Sequence, residues 1–312
     1  MIPTMGNVVA LANTQNTQDE ISNSIFDIMH ILNYEPKDPV NTVAIKPNLC
    51  YYWNAATGYT TDARVVAGII DYVRDIFGKN TSIRVVESDA TAMRTKHAFT
   101  MLGYRKLADE KNVELFNLSK DNIVEKEVTV NGRKIKFKIP CSLLETDLFI
   151  NVPKLKLMRE TKITCAMKNI FGCIASPRKV VYHPFLNEAI VGINKILQPH
   201  LTVVDGVIAS AYFPVKLGLI MASTDVFSID WISSQIMRYE PSRIEYLRLA
   251  RKEKVGDPDG ITVLGEEINR FREIFPERSF GNSNWWWNLQ LGLLRLYSSI
   301  VGDIIPPILD RI

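Results

Sequence analysis

Apolar positions along this chain fall into short β-like runs separated by longer stretches of helical period. VVALA at 8–12 reads as a buried strand, after which Ile21, Ile25, Ile28, Met29 and Leu32 recur at helical spacing. TVAIKPNL is a strand halted by Pro47, and TTDARVVAGIIDYVRDIFG is a helix that opens on capping residues and closes on Gly78. SIRVVESD, a helical region TKHAFTMLGYRKLADEK, and VELFNL continue the alternation. Such alternation predicts βαβ units and a mainly parallel sheet with helices on both faces.

One segment breaks the rhythm. Residues 123–139, IVEKEVTVNGRKIKFKI, are two alternating runs flanking Asn131-Gly132, which predicts an inserted antiparallel hairpin. Beyond it, DLFINVPKL reads as a strand, TKITCAMKNIFG as a short helix closed by Gly172, and NEAIVGINKIL as a helix. HLTVVDG, LGLIMAS and ITVLGE are further strands, and DVFSIDWISSQIMR and SRIEYLRLARKEKVG further helices. The fold class is therefore α/β, with one domain over residues 1–275. Residues 276–312 form an apolar appendage, in which Trp286, Leu289, Leu293, Leu296, Ile300 and Ile304 mark an amphipathic helix over 285–305 before Pro306-Pro307. Its charges cancel, so it is expected to dock on protein, its own chain or a second copy, with a peripheral membrane contact as the alternative.

Charge is distributed unevenly. The chain carries a formal net charge of +3, yet residues 151–183 hold Lys154, Lys156, Arg159, Lys162, Lys168, Arg178 and Lys179 against the single acid Glu160. The remainder is slightly acidic. A mild overall balance, with no zinc-finger spacing and no aromatic-rich basic ribbon, gives no reason to expect nucleic acid. Four cysteines without a C-x-x-C pair fit a reducing compartment, and no run of eighteen apolar residues is present. A cytoplasmic protein, with the membrane edge as the other option, is the expectation.

The candidate chemistry sits just past predicted strands, where open α/β sheets bind ligands. Lys46 and Asn48 follow the second strand, Glu87 the third, Lys154 and Lys156 the strand at 147–152, and Asp205 a later one. If residues 162–170 are a helix capped by Thr161, its free amides, with Lys154 and Lys156 close by, make an anion site. Lys168 and Asn169 fall inside the apolar ITCAMKNIFG, where a lysine needs an anionic partner or a depressed pKa. This predicts a small phosphate- or carboxylate-bearing ligand. Lys168, His183, Asp205 and Glu87 are the candidate catalytic groups; Lys46, Asn48, Lys154, Lys156, Lys162 and Asn169 are candidate ligand contacts. Asp62, Glu87, Asp205 and Asp225 leave open a divalent cation that would help to hold a phosphate group. Neither a Walker A sequence nor G-x-G-x-x-G is present.

IKPNL at 45–49, TTDARVVAGII, VVESD, NVPKLK, TCAMKNIFG with the downstream His183, VVDG and a late AS-x-D together resemble the domain-of-unknown-function 362 family, over about residues 8–265. The resemblance implies a single α/β domain and adds Thr60 and Thr61 to the candidate ligand contacts. It supplies no reaction. Some members of that family carry ferredoxin-like iron–sulfur modules, but C-x₂-C-x₂-C-x₃-C is absent here, so no cluster is expected. An enzyme acting on a small anion is the leading expectation. A non-catalytic or redox-partner module is the alternative.

Overall fold

The computed structural model of the chain describes residues 7–34, 39–49, 51–277, 293 and 296. The expected helix over 285–305 therefore lies outside the described residues, apart from Leu293 and Leu296.

The strands are β1 (Val8–Asn13), β2 (Thr42–Pro47), β3 (Ser82–Glu87), β4 (Glu114–Asn117), β5 (Ile123–Val130), β6 (Arg133–Pro140), β7 (Leu148–Val152), β8 (Lys154–Met158), β9 (Lys162–Thr164), β10 (Leu201–Ser210), β11 (Pro214–Ser223) and β12 (Thr262–Gly265). The helices are α1 (Gln18–Leu32), α2 (Ala63–Phe77), α3 (Thr95–Met101), α4 (Tyr104–Lys111), α5 (Cys141–Glu145), α6 (Ala166–Phe171), α7 (Leu186–Ile196), α8 (Val226–Ile236), α9 (Glu245–Lys252) and α10 (Ile268–Ile274).

The main sheet runs β12-β1-β11-β10-β7-β2-β3-β4, with β8 and β9 branching from β10. Pairings from β10 through β7, β2 and β3 to β4 are parallel, while β11 is antiparallel to both β1 and β10. Apolar clusters fill both faces: α1, α2, α3 and α4 cover one, while α6 to α10 and the β5–β6 hairpin cover the other. This is the mainly parallel α/β architecture that the alternation predicts. The hairpin forms its own two-stranded sheet and turns through Asn131 and Gly132, both at positive φ, as a tight hairpin turn requires.

Two expected elements come out differently. The helical region at 95–111 divides into α3 and α4 because Gly103 sits between them at φ +83°, in left-handed backbone. TKITCAMKNIFG is not one helix. Its first residues form β9, antiparallel to β8 with Lys156 opposite Thr164, and the helix begins only at Ala166. The β-branched Ile163 and Thr164 find a strand partner that sequence periodicity does not reveal. Thr161 caps nothing helical; its hydroxyl donates to the Ile163 carbonyl at 2.7 Å.

Candidate functional site

Four neighbouring strands deliver polar side chains to one end of the sheet: Lys46 from β2, Glu87 from β3, Asn151 from β7 and Asp205 from β10. The chain then passes Pro153 into β8, which pairs with β10 so that Lys154 lies opposite Asp205. All five residues are buried. Buried charge of this density demands pairing, and the pairs are present.

Lys46 Nζ lies 2.8 Å from each Glu87 oxygen and also donates to the Pro47 carbonyl at 2.7 Å. Glu87 accepts in addition from the Leu49 and Ser88 amides at 3.2 and 2.9 Å. Lys154 Nζ donates to Asp205 Oδ2 at 2.8 Å, and the same oxygen accepts from the Asp62 amide at 2.8 Å. Between the two ion pairs runs a chain of amides. Asn169 Nδ2 donates to the Lys46 carbonyl and to Asn151 Oδ1, Asn48 Nδ2 donates to Asn169 Oδ1, and Lys156 Nζ donates to Asn48 Oδ1 at 2.7 Å. Thr61 joins from its loop, its hydroxyl accepting from the Asn48 amide and donating to the Val152 carbonyl, both at 2.9 Å. Gly172 must be glycine here, since a Cβ would stand 3.2 Å from Lys46 Nζ and 2.9 Å from the Asn169 carbonyl oxygen.

The structure thus joins Lys46, Asn48, Thr61, Glu87, Lys154, Lys156, Asn169 and Asp205 in one network. Other candidates stand apart from it. Lys162 is exposed and donates to the Arg243 carbonyl at 2.6 Å. Lys168 is half-buried with its amine 5.6 Å from the Phe171 ring centre. His183 Nδ1 meets Glu160 Oε1 at 3.0 Å.

The expected anion at the first turn of the helix meets a different outcome. The Ala166 and Met167 amides donate to Asp230 at 2.6 and 3.2 Å, so a side chain from α8 occupies that position. Asp230 also accepts from the Tyr246 hydroxyl at 2.9 Å. Burial pushes its carboxyl up to about 7 against the pull of these hydrogen bonds. Asp230 stands mid-helix in the apolar VFSIDWISSQI, and that placement was the signal available in the sequence.

In the sequence Lys179 stands out only as one member of the basic run. It is buried, donating to Ser88 Oγ at 2.7 Å and to the Asp89 carbonyl at 2.6 Å, while the Ser88 hydroxyl donates to the Gly172 carbonyl. Burial lowers its amine to about 8, Glu87 opposes this and Lys46 reinforces it. A folded-state value below the unfolded one means that the unfolded chain holds the extra proton between about pH 8 and pH 10.5. Stability attributable to Lys179 therefore rises across that window, by up to about 3 kcal/mol. Subtracting the stability curve of Lys179→Met from that of the wild type isolates the rise; a flat difference would refute it.

The carboxylates open to a metal ion face other donors: Arg64 for Asp62, Lys46 for Glu87, Lys154 for Asp205, and the Phe227 and Ser228 amides for Asp225. Among the described residues no three His, Cys, Asp or Glu side chains form a metal-holding group. Cys165 and Cys173 are buried, and burial raises both thiols, Cys173 to about 12.

Beside the network lies a pocket of about 280 Å³, lined by Asn16, Asn54, Ala55, Ala56, Thr60, Thr61, Asp62, Ala63, Arg64, Leu102 and Ile208. A larger cavity of about 920 Å³ lies elsewhere, bounded among others by Arg238, Glu240, Arg243, Glu266 and Arg272. Its Arg238 is committed to the α10 end, donating to the Arg272 and Phe275 carbonyls. The smaller pocket is the candidate site because the Asp62 amide ties it directly to the Lys154–Asp205 pair and Thr61 ties it to the amide chain through Asn48. Arg64 is its cation. The guanidinium holds Asp62 on one side and Asn16 on the other, with Nη1 donating to the Asn16 carbonyl at 3.0 Å and Nη2 to Asn16 Oδ1 at 2.6 Å. Burial works against ionised Asp62, but hydrogen bonds from the Arg64 side chain and amide hold its carboxyl below the usual range.

The family model described as "Domain of unknown function (DUF362)" matches residues 43–235, which include every member of this network. The chain belongs to the DUF362 family. A curated relative, the thylakoid-associated protein sll1697 of Synechocystis, is 25% identical over 250 residues, covering 76% of this DUF362 protein and 74% of the relative. Among solved structures, the lactate racemase apoprotein of Thermoanaerobacterium thermosaccharolyticum aligns with a TM-score of 0.48 at 12% identity. That alignment covers 74% of this chain but only 57% of the racemase, under two thirds of its length. Within the described residues of this DUF362 protein, no helix is long and apolar enough to cross a membrane.

Proposed function

We propose that this DUF362 protein binds a small carboxylate- or phosphate-bearing molecule in the Thr60–Arg64 pocket, with the buried lysine–carboxylate network as its rigid electrostatic wall. The observation that carries this reading is the hold of Asn16 on Arg64. Two oxygens of one exposed residue span the guanidinium fork, the arrangement that a carboxylate or phosphate makes with arginine. Asn16 stands where ligand oxygens would go, and it is neutral, so an anion competes with it favourably. The N-terminal turn of α2 and the Thr60 and Thr61 residues border the same space. At about 280 Å³ the pocket lies below the roughly 300–1,000 Å³ of drug-sized sites, which suits a ligand of a few heavy atoms better than a nucleotide. Preorganised charge next to such a pocket is the setting in which enzymes stabilise developing charge, and an enzyme acting on a short acid or phosphate is the function that it supports.

Calorimetric titration with inorganic phosphate and with malonate tests this. Arg64→Ala should weaken binding by roughly 10- to 100-fold, the worth of a charged hydrogen-bonded contact. Asn16→Ala should tighten it by removing the competitor, and Lys162→Ala should leave it unchanged. Failure of both anions to bind the wild type, or equal affinity in wild type and Arg64→Ala, would overturn the proposal.

A further inference from the structure

An anion that takes the place of Asn16 does not have Arg64 to itself. Asp62 holds one edge of the guanidinium, accepting from Nε at 3.1 and 3.2 Å and from Nη2 at 2.6 Å. Asn16 spans the other edge through Nη1 and Nη2. A ligand carboxylate seated there lies side by side with Asp62 across a single cation. Asp62 does not give way. Its carboxylate also accepts from the Arg64 amide at 2.9 Å, and its own amide is fixed by Asp205 at 2.8 Å. Burial opposes its charge, but the Arg64 hydrogen bonds prevail and keep the carboxyl ionised.

Charge around the pocket therefore balances before a ligand arrives. Arg64 offsets Asp62, and in the wall behind them Lys154 offsets Asp205. Among the described residues that line the pocket, Arg64 is the one cation and Asp62 the one anion. One ligand carboxylate leaves a single excess negative charge, shared across the guanidinium. A second would meet Asp62 with no further cation to answer it, and like charges brought together in a pocket repel strongly.

The rest of the lining is short and in good part apolar. Leu102, Ile208 and three alanines border the same space. The polar groups beside them have partners already: Asn54 Oδ1 accepts from the Ala56 amide at 2.9 Å, and the Thr61 hydroxyl is bonded to the Asn48 amide and the Val152 carbonyl. Little remains to hold a second polar end, while an alkyl chain would meet Leu102 and Ile208.

Resting on the anion pocket proposed above, we infer that its preferred ligand is a short aliphatic monocarboxylate. Asp62 is the residue that selects against dianions, and Leu102 and Ile208 are those that favour the alkyl chain.

The test is calorimetric titration of the full chain at about pH 7 with acetate, propionate, butyrate, malonate and monomethyl malonate. Malonate carries two charges there and its monomethyl ester one on nearly the same skeleton, so the ester should bind about tenfold or more tightly. Affinity should rise from acetate to butyrate by about fourfold for each methylene, the factor for burying one such group. Asp62→Asn should shrink the gap between malonate and its ester to about threefold or less. Leu102→Ala should flatten the rise from acetate to butyrate, and Ile208→Ala serves in its place if that variant does not fold. Malonate that binds through Arg64 as tightly as its ester would overturn the charge selection and leave the pocket standing. So would an Asp62→Asn variant with the full gap, and a series without a chain-length trend would overturn the aliphatic assignment. If the wild type binds none of these acids and no phosphate, the inference and the pocket fall together.

Discussion

Replacing Glu87 with leucine should destabilise this protein by roughly 3–5 kcal/mol, because Lys46 would keep a buried charge without its counter-ion. The Leu49 and Ser88 amides would lose their acceptor as well. Lys46→Met should cost a comparable amount by stranding the carboxylate. The double variant Lys46→Met with Glu87→Gln should recover much of either loss, since glutamine keeps an acceptor oxygen and no charge remains unpaired. Urea unfolding of the wild type, both singles (Lys46→Met and Glu87→Gln) and the double measures the coupling, expected at about 2 kcal/mol or more. Additive losses, with a coupling below about 0.5 kcal/mol, would show that the pair contributes no mutual stabilisation.

The second large effect is expected at Asp230. Its removal in Asp230→Ala leaves the Ala166 and Met167 amides and the Tyr246 hydroxyl without their acceptor, all in buried surroundings. At about 1–3 kcal/mol for each stranded donor, the loss should reach several kcal/mol. Because α6 carries Asn169, the amide chain between the two ion pairs should loosen with it. The pH dependence has a definite sign. The folded carboxyl stands at about 7, above its unfolded value near 3.8, so the folded state holds the extra proton between those values. The contribution of Asp230 is therefore complete below about pH 4 and is lost as pH rises through 7, by up to about 4 kcal/mol. Asp230→Asn cannot titrate. Relative to the wild type it should gain stability between about pH 5 and pH 8, and a constant difference across that range would contradict the assignment.

Read alone, residues 151–183 suggest an external anion; in the fold, the buried lysines of this run meet acceptors of the chain itself, of which only Asp205 is charged. Lys154 meets Asp205, which is 51 residues away, and Lys179 meets Ser88 and the Asp89 carbonyl across about ninety residues. The slight acidity elsewhere was visible in the sequence, but the pairing was not. Lys46 and Glu87 were legible as residues past strand ends, because adjacent parallel strands bring such positions together. The role of Arg64 was not legible: a basic residue in the first turn of a helix reads as solvated, and only the approach of Asn16 from the β1–α1 loop gives it a fork to fill.

The sequence by itself determined the alternation of strands and helices, the hairpin at Asn131-Gly132, the residues at the carboxyl ends of the strands, and the family. These follow from local periodicity, turn chemistry and motif spacing, each confined to a few consecutive residues. Tertiary structure alone decided that Lys162–Thr164 is a strand, that Asp230 fills the helix end expected to meet a ligand, and that Lys154, Lys156 and Lys179, three of the five lysines in residues 151–183, are buried. Strand pairing and the desolvation of charge depend on partners distant in the chain. A β-branched pair takes the conformation its neighbour strand offers, and a buried lysine takes whichever carboxylate or carbonyl the fold brings within reach.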